Sequence, residues 1–543
     1  MAAVHVLTDL LPSAGFYSTI LIASYVFIFV AFQIFLHPLN GYPGPLTAKL
    51  SDAYNGFYAI RRELHLRTWR NHLKYGPVVR QGPNKLVFSS ITALQGESIG
   101  NMPSRQFVTK MLDIYKGDRT TKPKAYIALG PGLTTPTMLT AIDHQVHRSR
   151  RQLIGQVVSE RFMRSFEPIM VNEVDLFIRR LFLAAQKSYP VNVTEYARHL
   201  GLDLAGLLAF GYNLHLQTNK ENRFILPMLD AGAFWSSIFL HWPFSRHFRA
   251  GLVFVKIFRT VRTKYLRLVE TMITSRVKQD KEAYRDLYNI VADSLDSEAG
   301  GLRKSELWAE ANLFLPAAGD TTKTALSAVF FYLSRYPTCY KKLADEIRSN
   351  FTSGSEIKGQ PLTGCTYLRA CIDEALRLSP PAAGILWRDP LPAAGNQPFV
   401  VEGNVIPRGT IVGVNIYSIH HNPEYFPDPF TYHPERWLDG STSPERKRIM
   451  RDAFVPFSLG PRGCAGKAMA YLEVSLVVAK TLWYFDFRTA TGGLGMVGAS
   501  TEEPPNVFML FDNFTASHDG PYLTFQCRQD ACMEISNTDE NIR

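Results

Sequence analysis

The sequence predicts a mainly α-helical protein with small β-sheets and an N-terminal transmembrane helix. Three observations carry this. Residues Phe16 to Leu36 run 21 positions without a charge, enough for one helix to cross a hydrocarbon layer of ~30 Å. Between about 140 and 380 the apolar residues recur mainly at the three- and four-residue steps of an amphipathic helix. Strand-like runs are short and broken by Pro and Gly, at 78–89 and about 385–430.

The bulk composition bounds the class. A chain of 543 residues, 46% hydrophobic and 20% charged, is an ordinary globular protein, neither disordered nor collagen-like nor many times membrane-spanning. Its 59 basic against 48 acidic residues give a net charge of +11, which suits nucleic acid, anionic lipid or an acidic protein. No basic run interleaved with aromatics and no zinc-finger spacing occurs, so nucleic acid is not expected as a partner. Six cysteines stand at 339, 365, 371, 464, 527 and 532 without a CxxC pair, signalling neither a zinc ribbon nor a redox dithiol.

The elements follow in order. No Lys or Arg precedes the apolar run, whereas Lys49, Arg61, Arg62, Arg67, Arg70 and Lys74 follow it. A membrane anchor over 1–37 with the main body on the cytosolic side satisfies the positive-inside rule. Residues 38–48, rich in Pro and Gly, read as a stiff, turned hinge. Val78 to Ser89 reads as a hairpin turning at Gly82-Pro83-Asn84. Ala231 to Trp242 is apolar without periodic relief, fitting either an access region that dips into a bilayer or a buried loop.

The helix expected from Ser305 to Arg335 is the most informative. Ser305 is its expected N-cap, with Glu306 in the first turn. Phe314, Ala317, Ala318, Thr321 and Ala325 share one face. Pro316 removes a backbone bond to the carbonyl of Asn312, and a kink is expected there. Beside it, Asp320, Thr321 and Thr322 form a polar cluster that is costly to bury without a partner or a use.

Three motifs point to chemistry. The first is Phe457-Ser-Leu-Gly460-Pro-Arg462-Gly-Cys464-Ala-Gly466, where glycines let a backbone loop approach a flat ligand around a lone thiolate, a strong axial donor to haem iron. The second is Glu374-Ala-Leu-Arg377, an acid and a base one helical turn apart, with Pro434-Glu435-Arg436-Trp437 downstream. The third is Ala317-Ala318-Gly319-Asp320-Thr321-Thr322.

In this order and spacing the motifs resemble those of the cytochrome P-450 family: its FxxGxRxCxG haem loop, its ExxR helix with a PER segment, and its oxygen-activation signature. The resemblance covers nearly the whole chain and is closest to fungal microsomal members. It implies a single large helical catalytic domain over 49–536 with small sheets; the polar residues 537–543 read by themselves as a frayed tail. It implies haem b, held through Cys464 as iron ligand, with Phe457, Gly460 and Gly466 shaping the loop. Arg462, Arg388 and the pair His147 and Arg151 (His standing where the family's WxxxR has Trp) would meet the haem propionates. Glu374, Arg377 and Arg436 would form a structural triad behind the haem. Thr321 would hydrogen-bond dioxygen and Asp320 would relay protons; the signature departs from the family in having Ala318 where Gly is usual. Phe314, Ala317, Ala318 and the segment Ala382, Ala383, Gly384, Ile385, Leu386 would line the substrate pocket.

The resemblance implies a monooxygenase of the endoplasmic reticulum membrane, single-pass, acting on a lipophilic small molecule, a secondary-metabolite intermediate. No dinucleotide fingerprint on a strand–turn–helix is present, so electrons from NADPH are expected through a separate flavoprotein reductase. A haem-thiolate isomerase or peroxide-using enzyme, and a non-catalytic haem or sterol carrier, are the rival readings.

Overall fold

The computed structural model describes residues 2–95, 114–130, 135–248, 259–280, 283–284, 286–291, 303–392, 397–500, 506–528 and 531–535. The tail expected over 537–543 lies outside them. The apolar N-terminal stretch is helical from Ala2 to Ala31 and closes in a π-helical turn, Phe32–Leu36. Over Phe16–Leu36 its mean hydropathy is 2.4 and only 6% of it is buried against the protein. An apolar helix so exposed matches a hydrocarbon surrounding, and it is long enough to cross a membrane.

Its last turn is tied to the body. Arg80, fully buried, donates from its guanidinium to the Gln33 carbonyl at 2.9 Å and to Gln33 Oε1 at 2.8 Å. The His37 ring meets Asn84 Oδ1 at 3.0 Å. The Pro/Gly-rich segment therefore lies along the first hairpin, with Leu39 buried and the Arg80 N–H donating to Pro43 O at 2.8 Å.

That hairpin pairs Val78–Gly82 with Lys85–Phe88 antiparallel, and Ile411–Val414 joins the second strand in parallel. A second three-stranded sheet orders Val191–Asn192, Tyr522–Cys527 and Phe485–Thr489. Tyr522 thus begins a strand that pairs with distant segments, while the local hairpin of the C-terminal region is Phe511–Asn513 with Thr515–Ser517. Its turn falls at Phe514, which takes φ 73°.

The core is built around the 32-residue helix Lys304–Arg335. Its C-terminal half is buried nearly all round, including Leu326, Val329, Phe331 and Tyr332. Such all-round burial belongs to a helix at the centre of a large domain. Its closest crossing is with Val193–Phe210, glycine against glycine: a Cβ on Gly319 would lie 2.6 Å from Leu202, and one on Gly201 would lie 2.9 Å from Thr322 Oγ1. Gly319 is therefore the residue that lets the two backbones touch. The helix starts two residues earlier than the sequence suggests, with Arg303 rather than Ser305 as N-cap. The cause is Glu306, whose carboxylate reaches back to the Arg303 N–H at 2.8 Å and so fixes the first turn. The helix continues through Pro316.

Candidate active site

Between the helix Lys304–Arg335 and the loop ahead of the helix Lys467–Tyr484 lies a cavity of about 830 Å³. Phe314, Ala317, Ala318, Thr321 and Ala325 all stand on its wall, joined by Thr322. Small residues at 317, 318 and 325 keep the helix backbone close to the open space. Phe457, Gly463, Cys464 and Gly466 line the opposite wall. Of the segment after the Glu374 helix, Ala382 and Leu386 face the cavity, but Ala383, Gly384 and Ile385 do not. The chain is irregular there and turns them away: Ile385 packs with Val87, Tyr126 and Trp387, and Gly384 abuts the Asp512 carboxylate, 2.8 Å from where a Cβ would stand.

Cys464 is deep in the protein yet open on one side, its side chain exposed to the cavity. The loop is shaped by its backbone. Gly460 takes φ +68° and leaves no room for a Cβ, which would stand 2.0 Å from Tyr115 O. The Cys464 N–H donates to Phe457 O at 2.8 Å, and the Phe457 ring packs 5.2 Å from that of Tyr471. Burial pushes the Cys464 thiol up, while the Gly466 N–H, Arg151 and Lys467 pull it the other way. Gly466 is also the N-cap of Lys467–Tyr484, so the sulfur sits at the positive end of an 18-residue helix, a setting that favours thiolate.

Beside this loop four basic side chains converge, three of them on the cavity wall. Arg151 donates to Gly463 O at 2.6 Å, Arg462 to Ile142 O at 3.1 Å and to Ala141 O, and Lys122 to Leu139 O. Arg388, buried behind the cavity wall, lies over the Tyr115 ring at 4.7 Å. Among the described residues none of the four makes an ion pair with a carboxylate. Burial together with Arg388, Arg462 and Arg151 holds Lys122 well below its ordinary value, and burial with Arg388 brings Arg462 down to about 10. His147, on the cavity wall, is lowered to about 3 by burial and by Arg462, Lys122 and Arg151, and stays neutral. Lys122 and Arg388 are buried and Arg151 and Arg462 half-buried, and such groups without an acid are costly. A flat ligand with two carboxylates, its iron open to a sulfur ligand such as Cys464, would supply the missing charge; the donor set fits haem.

The second cluster is complete in itself. Glu374 and Arg377, both fully buried, bond at 3.0 and 2.9 Å, and Arg436 Nε meets Glu374 Oε1 at 3.0 Å. The Trp437 indole and the His433 N–H donate to the same carboxylate at 2.9 and 3.1 Å. Arg377 further binds the carbonyls of His420 and Pro429 at 2.8 and 2.7 Å. Burial alone would raise Glu374, but Arg377 and Arg436 outweigh it and hold it below the usual carboxylate range.

Thr321 faces the cavity and its hydroxyl donates to Ala317 O at 2.7 Å. Asp320 is turned away from the cavity and buried, bonded to Lys323 Nζ at 2.8 Å and ion-paired with Arg198, whose Nε lies 3.3 Å away. Burial opposes ionisation of Asp320, but Lys323 and Arg198 prevail and keep it ionised. Arg198 also clamps Asp230 at 2.9 and 2.8 Å, and Asp230 is half exposed. Sequence reasoning missed Arg198, Lys323 and Lys122. Lys323 was accessible to it, one helical turn from Asp320; the other two are distant in sequence and carry no local signal.

Residues 231–242 belong to the helix Ile225–His241 and its C-cap Trp242. Gly232, Ala233, Trp235, Ser236 and Phe239 line the cavity, while Ser237, Ile238, Leu240 and His241 are buried. One flank faces the cavity and another the core, which is why the sequence shows no polar relief.

A family model described as cytochrome P450 matches residues 54–495. The chain is 32% identical over 532 residues to cytochrome P450 monooxygenase apf7 of Gibberella fujikuroi, covering 92% of this chain and 96% of that one. It is 29% identical over 530 residues to AKT7 of Alternaria alternata (93% and 96%) and 32% identical over 511 residues to poxM of Penicillium oxalicum (92% and 93%), both also cytochrome P450 monooxygenases.

Proposed function

From the premise that this chain belongs to the cytochrome P450 family and is a haem monooxygenase, we propose that it inserts one oxygen atom of dioxygen into a lipophilic small molecule, a secondary-metabolite intermediate, with electrons from NADPH through a separate flavoprotein reductase. The observation that carries this reading is one cavity with the Cys464 sulfur on one wall and Thr321 on the facing helix, the acid-free cation cluster beside the loop.

In this reading Cys464 is the iron ligand, and Lys122, Arg151, Arg388, Arg462 and His147 hold the propionates. Haem bound through a thiolate supplies the activation of dioxygen. The Gly466 N–H and the helix behind it stabilise negative charge on the sulfur. Thr321 holds a hydroxyl proton at Oγ1, now bonded to the Ala317 carbonyl, and turns it toward the oxygen substrate. Asp320, held ionised by Arg198 and Lys323, would be the acceptor of the relay: it takes a proton from the solvent side, where Arg198 also holds the exposed Asp230, and gives it up toward Thr321, returning to its carboxylate form. The apolar walls keep other water from the reacting atoms.

The same reading places the anchor over 1–37, the hinge over 38–48 and the catalytic domain over 49–536, on the cytosolic side of the endoplasmic reticulum. The +11 charge suits docking on an acidic reductase face. The apolar helix Ile225–His241 admits substrate from the bilayer side. Purified enzyme and reductase test this: product must form with stoichiometric consumption of NADPH and oxygen. Turnover that needs neither would establish the isomerase or peroxide-using alternative, and Thr321→Ala should uncouple NADPH use from product without altering the haem spectrum.

A further inference from the structure

The cavity wall carries five lysine and arginine side chains and, among the described residues, no aspartate or glutamate. Lys122, Arg151 and Arg462 belong to the cluster beside the Cys464 loop. Arg246 and Arg262 do not. Arg246 stands on the short 3-10 helix Pro243–Phe248, its guanidinium 5.6 Å from the ring of Phe239, a cavity residue. Arg262 stands in the first turn of the helix Arg259–Val277, one turn before Tyr265 and Leu266, which also line the cavity. Both arginines are exposed and both border the cavity, so they mark where it meets solvent. Neither makes an ion pair with a carboxylate among the described residues.

We propose that Arg246 and Arg262 bind the carboxylate of the substrate, so that the lipophilic molecule this enzyme takes is a free carboxylic acid held with its apolar end toward Cys464. The inference rests on the monooxygenase reading above and names the substrate class of that site. A carboxylate entering an apolar cavity loses hydration unless cations receive it. The guanidinium fork matches a carboxylate with two parallel hydrogen bonds. At the rim the two arginines remain hydrated in the free enzyme, so they add attraction without the cost of a buried unpaired charge. An acid held there lays its chain past Phe239 toward Phe314, and oxidation falls on a carbon remote from the carboxyl group.

The test uses the haem-loaded full chain titrated with dodecanoic acid and, separately, with methyl dodecanoate, read by the spin-state shift of the Soret band. Two lost charge-assisted hydrogen bonds set the scale: the acid should bind about 10- to 100-fold more tightly than the ester. The double variant Arg246→Gln, Arg262→Gln should lose that preference while binding the ester as before, which also shows its cavity is intact. Equal affinities in the wild type, no shift with the acid, or equal weakening of both ligands in the variant overturns the inference. A preparation with the thiolate spectrum but no acid preference sinks this inference alone; one without that spectrum sinks the monooxygenase reading as well.

Discussion

Two clusters of basic side chains, one buried throughout and one buried or half-buried, differ in one respect. Arg377 and Arg436 share the carboxylate of Glu374, which also takes the Trp437 indole and the His433 N–H. Lys122, Arg151, Arg388 and Arg462 share no acid among the described residues and lean on carbonyls instead. A protein can carry the first arrangement unaided, because each charge is compensated where it is buried. The second is incomplete without an anion from outside. One cluster is therefore part of the fold, and the other, on the proposed function, is a receptor.

The comparison breaks most readily at Glu374. Glu374→Gln leaves two buried guanidiniums uncompensated and should cost about 3–5 kcal/mol, read as a fall in the urea midpoint and in the yield of haem-containing protein. A variant of wild-type stability would show that the triad is not what holds this region. Asp320→Asn offers an intermediate case. Arg198 keeps Asp230 as a second acid, while the buried Lys323 loses the only acid it has among the described residues. One cation rather than two is left uncompensated, so the loss should be about 2–3 kcal/mol, with turnover falling further than stability because the proposed relay is cut. Equal losses at 320 and 374 would contradict the role of the second acid.

The receptor cluster should respond in the opposite sense. Arg462→Leu removes one uncompensated cation, so the haem-free protein should be as stable as the wild type or more so. Haem affinity should drop by about 1.5–3 kcal/mol, measured by transfer to apomyoglobin. If the haem-free variant is destabilised as strongly as Glu374→Gln, the two clusters are alike and the distinction fails.

A pH-dependent effect concerns a buried acid that, among the described residues, has no cation at all. Glu473 lies within the core, beside Thr322, and burial raises it to about 8. An acid with a raised folded pKa contributes stability that is fully present below its unfolded value, 4.5, and is lost as pH rises through about 8. Glu473→Gln should therefore flatten the decline of unfolding free energy between pH 5 and 8. An unchanged slope would place the titration elsewhere.

How far these features were legible depended on whether they are local. The anchor, the first hairpin, the cavity face of the helix Lys304–Arg335 and the acid–base pair of Glu374 and Arg377 all follow from spacing within one element. The Cys464 loop was legible through its resemblance to the family's FxxGxRxCxG haem loop, all of whose fixed positions it carries. What sequence could not give was convergence: Lys122 joins Arg462 across more than three hundred residues, and Arg198 meets Asp320 only because Gly201 and Gly319 let two helices touch. Ala383, Gly384 and Ile385 were misassigned to the pocket because an irregular segment carries no period from which to read its inner side. The start of the helix at Arg303 was missed because its cap comes from Glu306 reaching back.

The most direct measurement is the absorption spectrum of the reduced, CO-bound protein, wild type against Cys464→Ser. Thiolate ligation from Cys464 predicts a strongly red-shifted Soret band in the wild type and its loss in the variant. A colourless wild-type protein, or a band that persists without the Cys464 sulfur, would contradict it.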